Sequence, residues 1–149
     1  MLDIKLLSPN AQLPTLGSAA AAGYDLYAAK ECIVEPGQCV LVHTGIAIEI
    51  PEGYWGGIYA RSGLATKRGL RPANCVGVID SDYRGEIMVA LYNDSNCDQE
   101  IHIGDRVAQL VLHQTARIVP DAYGDIWNVV DELSGTERSD GGFGSTGTN

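Results

Sequence analysis

The feature that most restricts how this chain can fold is its series of short apolar runs, each bounded by turn-forming residues. Strand-type runs occupy residues 4–7, 32–34, 39–43, 46–50, 54–60, 76–79, 87–92 and 106–113. Between them lie turn residues such as Pro36, Gly37, Gly53 and Asn93. Many short strands with this punctuation predict an all-β fold, either a sandwich or a barrel.

One segment, at residues 62–69, interrupts the β pattern with a short helical sequence. Ser62 is available as its N-cap and Gly69 as its terminator, so we predict one short helix. The junction ARSGLA at 60–65 places Arg61 and the Ser62 hydroxyl beside the N–H groups of a helix start. These groups suit an anion, although a capped helix with an exposed arginine is the simpler interpretation.

The net charge of −9 over 149 residues argues against a nucleic-acid partner, because such proteins need a basic surface. A small polyanion could still bind through local arginines, backbone N–H groups and a divalent cation.

The length favours one domain. No apolar run is long enough to span a membrane, and the N-terminal MLDIKLLSPN lacks the apolar core of a secretory signal. We therefore expect a soluble, intracellular protein with no membrane partner.

Neither the cysteines nor the histidines show the spacing of a structural metal site. We expect reduced, partly buried thiols and histidines that serve the strands, and a histidine metal triad is the less favoured interpretation. The residues concerned are Cys32, Cys39, Cys75, Cys97, His43, His102 and His113.

The C-terminal segment SGTERSDGGFGSTGTN is rich in Gly, Ser and Thr, and Phe143 is its single large apolar residue. Because it cannot bury enough surface to order itself, we predict a β domain at 1–133 and a flexible arm at 134–149. Residues 142–147 match G-x-G-x-x-G but lack the helix and the downstream acid of a dinucleotide site. We favour an arm that stacks Phe143 on a ligand and wraps phosphates with Arg138, Ser145 and Thr146.

Residues 77–86, GVIDSDYRGE, join two apolar runs with a turn that carries two acids, a tyrosine and an arginine. A polar hairpin tip is the simplest interpretation, but the run is longer than a two-residue hairpin needs. Asp80 follows Ile79 at the predicted edge of the core, where its basicity could be tuned, and is the candidate general base for water. Tyr83 offers a flat face to a sugar or base. Gln109, in an apolar strand, is either structural or a neutral phosphate ligand.

Five segments resemble, in order, the five motifs of the trimeric dUTPase family: AGYDL at 22–26, ARSGLA at 60–65, GVIDSDYRGE at 77–86, GDRVAQLV at 104–111 and RSDGGFGSTG at 138–147. The set is specific and covers nearly the whole chain, whereas a single motif would be weak. The resemblance implies a jelly-roll-like distorted β-barrel and a homotrimer whose active sites are shared by its subunits. It also implies hydrolysis of dUTP to dUMP and pyrophosphate, which supplies dUMP for thymidylate synthesis and keeps uracil out of DNA.

The same resemblance implies roles for individual residues. Asp80 would activate the water that attacks the α-phosphate, while Tyr83 would pack under the deoxyribose and exclude a 2′-OH. The hairpin would read uracil, and the arm would close over the nucleotide from a third subunit. The full set of implied substrate-binding residues is Arg61, Ser62, Gly63, Asn74, Gly77, Ile79, Tyr83, Met88, Gln109, Arg138, Phe143, Gly144, Ser145 and Thr146.

Mg²⁺ is the cofactor that the resemblance implies, bridging phosphate oxygens. Asp25 would lie near its water shell, with no direct protein ligand. Two residues depart from the family pattern, since Ala60 stands where Pro is frequent and Ser139 where Gly is frequent. Neither departure removes a reacting group.

Two alternatives stay open. A dCTP deaminase of the same fold would need an acid near the base C4, and Glu86 lies in the hairpin, but the tyrosine-bearing hairpin and the GGFGSTG arm favour a dUTPase. A non-catalytic trimeric nucleotide-binding or signalling protein could also keep this fold. The presence of Asp80, Arg61, Gln109 and Arg138 together argues against it.

Overall fold

The computed structural model of the chain describes residues 1–116, 129–137 and 139. The chain divides into two compact units, Met1–Ala116 and Arg117–Asn149. In the second unit, the described residues include a turn in which the Ser139 N–H donates to the Thr136 carbonyl at 3.2 Å. The predicted boundary between residues 133 and 134 stays a prediction.

Short strands dominate the first unit, as the alternation of apolar runs and turns predicts. The strands of the described residues are β1 (Asp3–Leu6), β2 (Thr15–Leu16), β3 (Tyr24–Tyr27), β4 (Cys32–Val34), β5 (Cys39–His43), β6 (Ile46–Glu49), β7 (Tyr54–Tyr59), β8 (Leu70–Pro72), β9 (Gly77–Ile79), β10 (Met88–Asn93), β11 (Gln99–Ile101) and β12 (Arg106–Gln114). One helix, α1 (Ser62–Arg68), follows β7. The prediction of an all-β fold with one short helix is confirmed.

Every strand predicted from the sequence is present, with ends displaced by no more than one residue. The sequence analysis missed β2, β3, β8 and β11, which have two to four residues each. Runs this short carry too little periodicity to be recognised, and β8 also contains Pro72, which normally argues against a strand.

The strands pair antiparallel into four sheets. The largest has the order β2-β3-β12-β7-β9, and a three-stranded sheet has the order β5-β10-β8. Two further pairs are β1-β6 and β11-β4. Within the described residues the sheets keep their edges, so the jelly-roll-like arrangement does not close into one continuous barrel.

One apolar core joins these sheets. Leu26, Ile46, Leu91 and Ile101 each come from a different sheet and are almost completely buried. Burying a side chain of this size contributes about 1.5–3 kcal/mol. Gly56 in β7 belongs to the same interior, because a Cβ there would lie 2.8 Å from Leu110 Cδ1. The core therefore fixes the sheets that carry the candidate site.

The start of α1 differs from the prediction, because Arg61 and not Ser62 is its N-cap. Arg61 is extended (φ −82°, ψ 128°) and makes no side-chain cap bond, because a guanidinium has no acceptor for the helix N–H groups; it donates to Asp25 instead. Gly69 ends the helix as predicted, in the left-handed conformation at φ 66°. Among the described residues, no helix combines the length and the apolar character needed to cross a membrane.

Candidate active site

Asp25 in β3 is the centre of the first candidate group, and it is only 4% exposed. Arg61 Nε donates to its Oδ1 at 2.9 Å, and Arg106 Nη1 donates to its Oδ2 at 3.2 Å. Gln109 Nε2 lies 3.5 Å from Oδ1. A buried carboxylate without partners would be strongly destabilising, so the arginines stabilise Asp25 and Asp25 in turn fixes their guanidinium groups. These four residues are called the Asp25 cluster below.

Strand register explains how the Asp25 cluster forms. Gln109 in β12 is the partner of Asp25 on one side and of Tyr59 on the other. The chain leaves β7 at Tyr59 and reaches the N-cap Arg61 two residues later, beside Asp25. The sequence analysis named Asp25, Arg61 and Gln109 separately but missed Arg106. A charged residue at the start of an otherwise apolar strand was the available signal.

The first turn of α1 adjoins the Asp25 cluster through Arg61. It contains no acidic residue, and no side chain caps its N–H groups. A Cβ placed on Gly63 would meet no atom within 4 Å, so space is open at this turn. Ser62 and Gly63 can therefore offer a hydroxyl and N–H groups to a phosphate oxygen.

The second candidate group is residues 80–86, which belong to the connection between β9 and β10 and are called the hairpin loop. The two strands lie in different sheets and do not pair with each other, so the predicted hairpin of paired strands is not formed. Asp80 is exposed where β9 ends, and its carboxylate has no hydrogen-bond partner among the described residues. We expected Asp80 to lie at the edge of the core. Its side chain is exposed instead, because β9, the strand that it follows, is the outermost strand of its sheet. An exposed carboxylate has its lone pairs available to accept a proton from water.

Tyr83 organises the hairpin loop from within. Its N–H donates to the Asp80 carbonyl at 3.2 Å, and its hydroxyl donates to the Glu86 carbonyl at 3.0 Å. Its ring lies on Gly85, where a Cβ would overlap the ring atoms. The tyrosine is nevertheless 40% exposed, so part of it remains accessible to a ligand.

Glu86 joins the hairpin loop to the turn between β5 and β6. Its Oε1 accepts the Gly45 N–H at 2.8 Å, and its Oε2 lies 2.9 Å from His43 Nδ1. Partial burial alone raises the pKa of the Glu86 carboxyl, but the hydrogen bonds from His43 and Gly45 lower that pKa by more, so the net pKa lies below its usual value. The sequence analysis missed these contacts, which join residues about 40 positions apart.

The remaining residues predicted for the nucleoside lie in or beside β9 and β10, at the two ends of the hairpin loop. A Cβ at Gly77 would lie 3.1 Å from Asn74 Nδ2 and 3.0 Å from Ile58 Cβ, so glycine allows the Asn74 amide to approach β9. Ile79 and Met88 are half-buried at the ends of the two strands. The structure therefore places these residues together with the hairpin loop.

The Asp25 cluster and the hairpin loop lie at opposite ends of β7. Gln109 pairs with Tyr59 at the end of this strand, whereas Ile79 pairs with Gly56 near its start and Asp80 continues beyond that point. With a rise of about 3.3 Å per residue, the offset of about four residues corresponds to about 13 Å. A single chain therefore does not bring Asp80 to the side chains of the Asp25 cluster.

The predicted arm residues Arg138, Phe143, Gly144, Ser145 and Thr146 lie outside the described residues. Their roles stay predictions.

The His, Cys, Asp and Glu side chains are more dispersed than the ligands of a metal ion that a protein binds directly. Within residues 1–116, 129–137 and 139, no three His, Cys, Asp or Glu side chains are grouped to hold a metal ion.

Cys32 is half-buried, but the other three cysteines are exposed, contrary to expectation, because they lie on an outward strand position or in turns. His43 and His113 bind Glu86 and the Tyr59 hydroxyl respectively.

Comparison with known proteins agrees with this arrangement. The dUTPase family model matches residues 9–147. The deoxyuridine 5′-triphosphate nucleotidohydrolase of Candida albicans is 48% identical over 149 residues, which cover 99% of this chain and 89% of the relative. The enzyme of that name from Anaplasma marginale is 44% identical and is covered over 100% of its length. A mutant dUTPase of Staphylococcus bacteriophage 80alpha, solved with dUpNHpp, superposes with a TM-score of 0.86 at 29% identity, covering 99% of each chain. Because these matches extend over nearly the whole sequence, the chain belongs to the dUTPase family.

Proposed function

We propose that this chain is a dUTP diphosphatase that hydrolyses dUTP to dUMP and pyrophosphate, with Asp80 as the general base for water attack on the α-phosphate. The observation that carries the proposal is the division of the site between the two ends of β7. One end presents an exposed carboxylate, and the other presents cationic and N–H donors. Hydrolysis of a triphosphate needs both, a base beside the attacked phosphorus and donors on the phosphate oxygens.

The hairpin end supports selection of the nucleoside. Asn74 and the backbone around Gly77, Ile79 and Met88 would pair with the edge of uracil. The Tyr83 ring, held through its hydroxyl, would pack under the deoxyribose and leave no space for a 2′-OH. A site whose polar groups match one base discriminates strongly, because another base leaves those groups unpaired.

The cluster end supports the grip on the phosphates. Arg61, Ser62, Gly63 and Gln109 would donate to phosphate oxygens. Since Asp25 already holds the Arg61 guanidinium through Nε, this donor needs little rearrangement when the substrate binds. Gln109 would add a donor without adding charge.

We propose Mg²⁺ as the cofactor, held mainly by substrate phosphates and water. The Asp25 cluster fits an indirect role, because both oxygens of Asp25 already bind arginines and Asp25 would act only near the water shell of the metal. When bound, Mg²⁺ would offset the charge that develops on the departing pyrophosphate. A structure of a mutant dUTPase from phage phi11 of S. aureus, 26% identical with a TM-score of 0.77, details the coordination of a structural Mg(II) ion.

The separation of about 13 Å along β7 supports a homotrimer with shared sites. The hairpin loop of one subunit would meet the Asp25 cluster of another. The arm of the third, residues 134–149, would close over the nucleotide, with Phe143 on uracil and Arg138, Gly144, Ser145 and Thr146 on the phosphates. We propose that the enzyme acts inside the cell, where it supplies dUMP for thymidylate synthesis and keeps uracil out of DNA.

Two other functions are less well supported. In a dCTP deaminase, Glu86 would have to reach the base C4, but both of its carboxylate oxygens bind Gly45 and His43. A non-catalytic signalling role is the second alternative. The dUTPase of phage 80alpha, 30% identical to this chain, is described as controlling the transfer of virulence genes.

The deciding experiment incubates the purified protein with Mg²⁺ and, separately, dUTP, UTP, dTTP or dCTP, and follows pyrophosphate and nucleotide products. We expect pyrophosphate and dUMP from dUTP alone, and loss of turnover when EDTA removes the metal. Formation of dUTP from dCTP would instead identify a deaminase. Binding of dUTP without turnover would identify a binding or signalling protein.

A further inference from the structure

The Glu86 carboxylate is a half-buried side-chain link between the hairpin loop and the turn between β5 and β6, next to the buried hydrogen bonds that Ile87 makes with Thr44 and Ile46. We propose that Glu86 is a positioning residue that holds Asp80 and Tyr83 in the orientation the reaction needs, with the Gly45 N–H and His43 as its anchors. This inference rests on the proposed function, since it concerns the same hairpin loop. It assigns Glu86 no contact with the substrate.

Few interactions hold the hairpin loop in place. Both Asp80 and Tyr83 are exposed, and the strand that leads into the loop pairs only with β7. Internal bonds run from the Tyr83 N–H to the Asp80 carbonyl, from the Tyr83 hydroxyl to the Glu86 carbonyl, and from the exposed Arg84 side chain to the Ser81 and Tyr83 carbonyls. The Tyr83 bonds go to backbone carbonyls of Asp80 and Glu86, so the Glu86 carboxylate acts on both residues by fixing the backbone at position 86.

The anchor at Gly45 is closely packed. Gly45 has φ 69°, and a Cβ there would lie between 2.9 and 3.1 Å from atoms of Ser8, Ala11 and Ala29. Its carbonyl also accepts the Leu7 N–H at 2.7 Å. Because the Gly45 N–H group is closely packed, it defines the position of the carboxylate that accepts its hydrogen bond.

The groups around the Glu86 carboxylate stabilise its negative charge. His43 in β5 lies 2.9 Å from Glu86 Oε2, and Lys30 adds an attractive interaction from a greater distance. Both groups favour the ionised carboxylate, which is the form that accepts two hydrogen bonds. The ionised state and the anchored position of Glu86 are therefore coupled.

The other side-chain link from the loop is weaker. Arg84 Nη2 lies 3.1 Å from Glu49 Oε1, but both side chains are more than half exposed. Exposed ion pairs of this kind contribute little, because water competes for both partners. Glu86 is accordingly the residue whose loss should release the loop.

The test compares Glu86→Ala, Glu86→Gln and the control Glu100→Ala in the full-length protein. Glu100 also forms a Glu–His pair, at 3.5 Å from His102, but lies in β11 away from the hairpin loop. For each variant, kcat and KM for dUTP are measured together with hydrogen exchange of the amides in residues 80–86. The exchange measurement requires no activity.

For Glu86→Ala we expect loop amides to exchange at least about tenfold faster and kcat to fall between about tenfold and a hundredfold, because small misplacements of reacting groups are costly. Glu86→Gln should recover most of kcat, since its amide oxygen can still accept the Gly45 N–H. Glu100→Ala should match the parent protein. Unchanged exchange, or faster exchange with kcat and KM within twofold of the parent, would overturn the positioning role. A parent protein that fails to hydrolyse dUTP would reject the proposed function instead, while the exchange data would still decide whether Glu86 anchors the loop.

Discussion

The Asp25 cluster and the hairpin loop belong to one proposed site but are held in opposite ways. In the cluster, a buried carboxylate in the interior of a five-stranded sheet binds an arginine through each oxygen. The hairpin loop follows an edge strand and is largely exposed, and the Glu86 carboxylate is its half-buried side-chain link to the turn between β5 and β6. The proposed phosphate side is therefore preorganised by packing, whereas the proposed nucleoside side depends on a few hydrogen bonds.

The largest expected effect is at Asp80. Asp80→Asn removes the proposed base without changing the shape of the exposed side chain, so kcat should fall by about 10²–10⁴ while affinity for a non-hydrolysable dUTP analogue persists. Steady-state kinetics and calorimetric titration measure the two quantities. Asp82→Asn, a change at an exposed acid in the same loop, serves as the control. Turnover by Asp80→Asn close to that of the control would refute the general-base role.

An intermediate effect on stability and on the KM for dUTP is expected from a substitution in the Asp25 cluster. Arg61→Ala leaves the Asp25 carboxylate, which is 5% exposed, without its shortest ion pair, so the free energy of unfolding should fall by about 1–3 kcal/mol. The KM for dUTP should rise as well, because a phosphate donor is lost. Denaturant titration and kinetics provide the readouts.

The matched control for that prediction is Arg71→Ala. Arg71 pairs with Asp94 at 2.6 Å, but both side chains are exposed, so this change should affect stability far less. If both variants shift the denaturation midpoint equally, burial does not distinguish the Asp25 cluster from a surface ion pair.

The smallest expected effect is a pH dependence at Glu86. Because its pKa is lowered in the folded protein, its ionised form stabilises the fold above the pKa of the unfolded chain, and this contribution is lost as pH falls through the folded pKa. The parent protein should therefore lose slightly more unfolding free energy than Glu86→Gln between neutral and acidic pH. His43→Ala should lie between them. Parallel stability curves for the parent and Glu86→Gln would show that Glu86 does not contribute.

Local sequence predicted the parts of the fold that depend on neighbouring residues. The longer strands, the helix and its end at Gly69 were predicted from periodicity and turn chemistry. Strands as short as β2 and β8 were missed because two or three residues carry too little periodicity, and only pairing with β3 and β10 defines them. The N-cap was assigned to Ser62, whereas Arg61 is the N-cap and its side chain binds Asp25, 36 residues away.

The sequence by itself determined the all-β class, the family and the candidate residues, because motifs and turns are properties of adjacent positions. Only the tertiary structure decided which candidates meet. Strand register joins Asp25 to Gln109 and brings Arg61 and Arg106 to the same carboxylate, while it places Asp80 at the other end of β7. The physical reason is that the pairing of distant strands depends on burial of the whole core, and no local pattern encodes it.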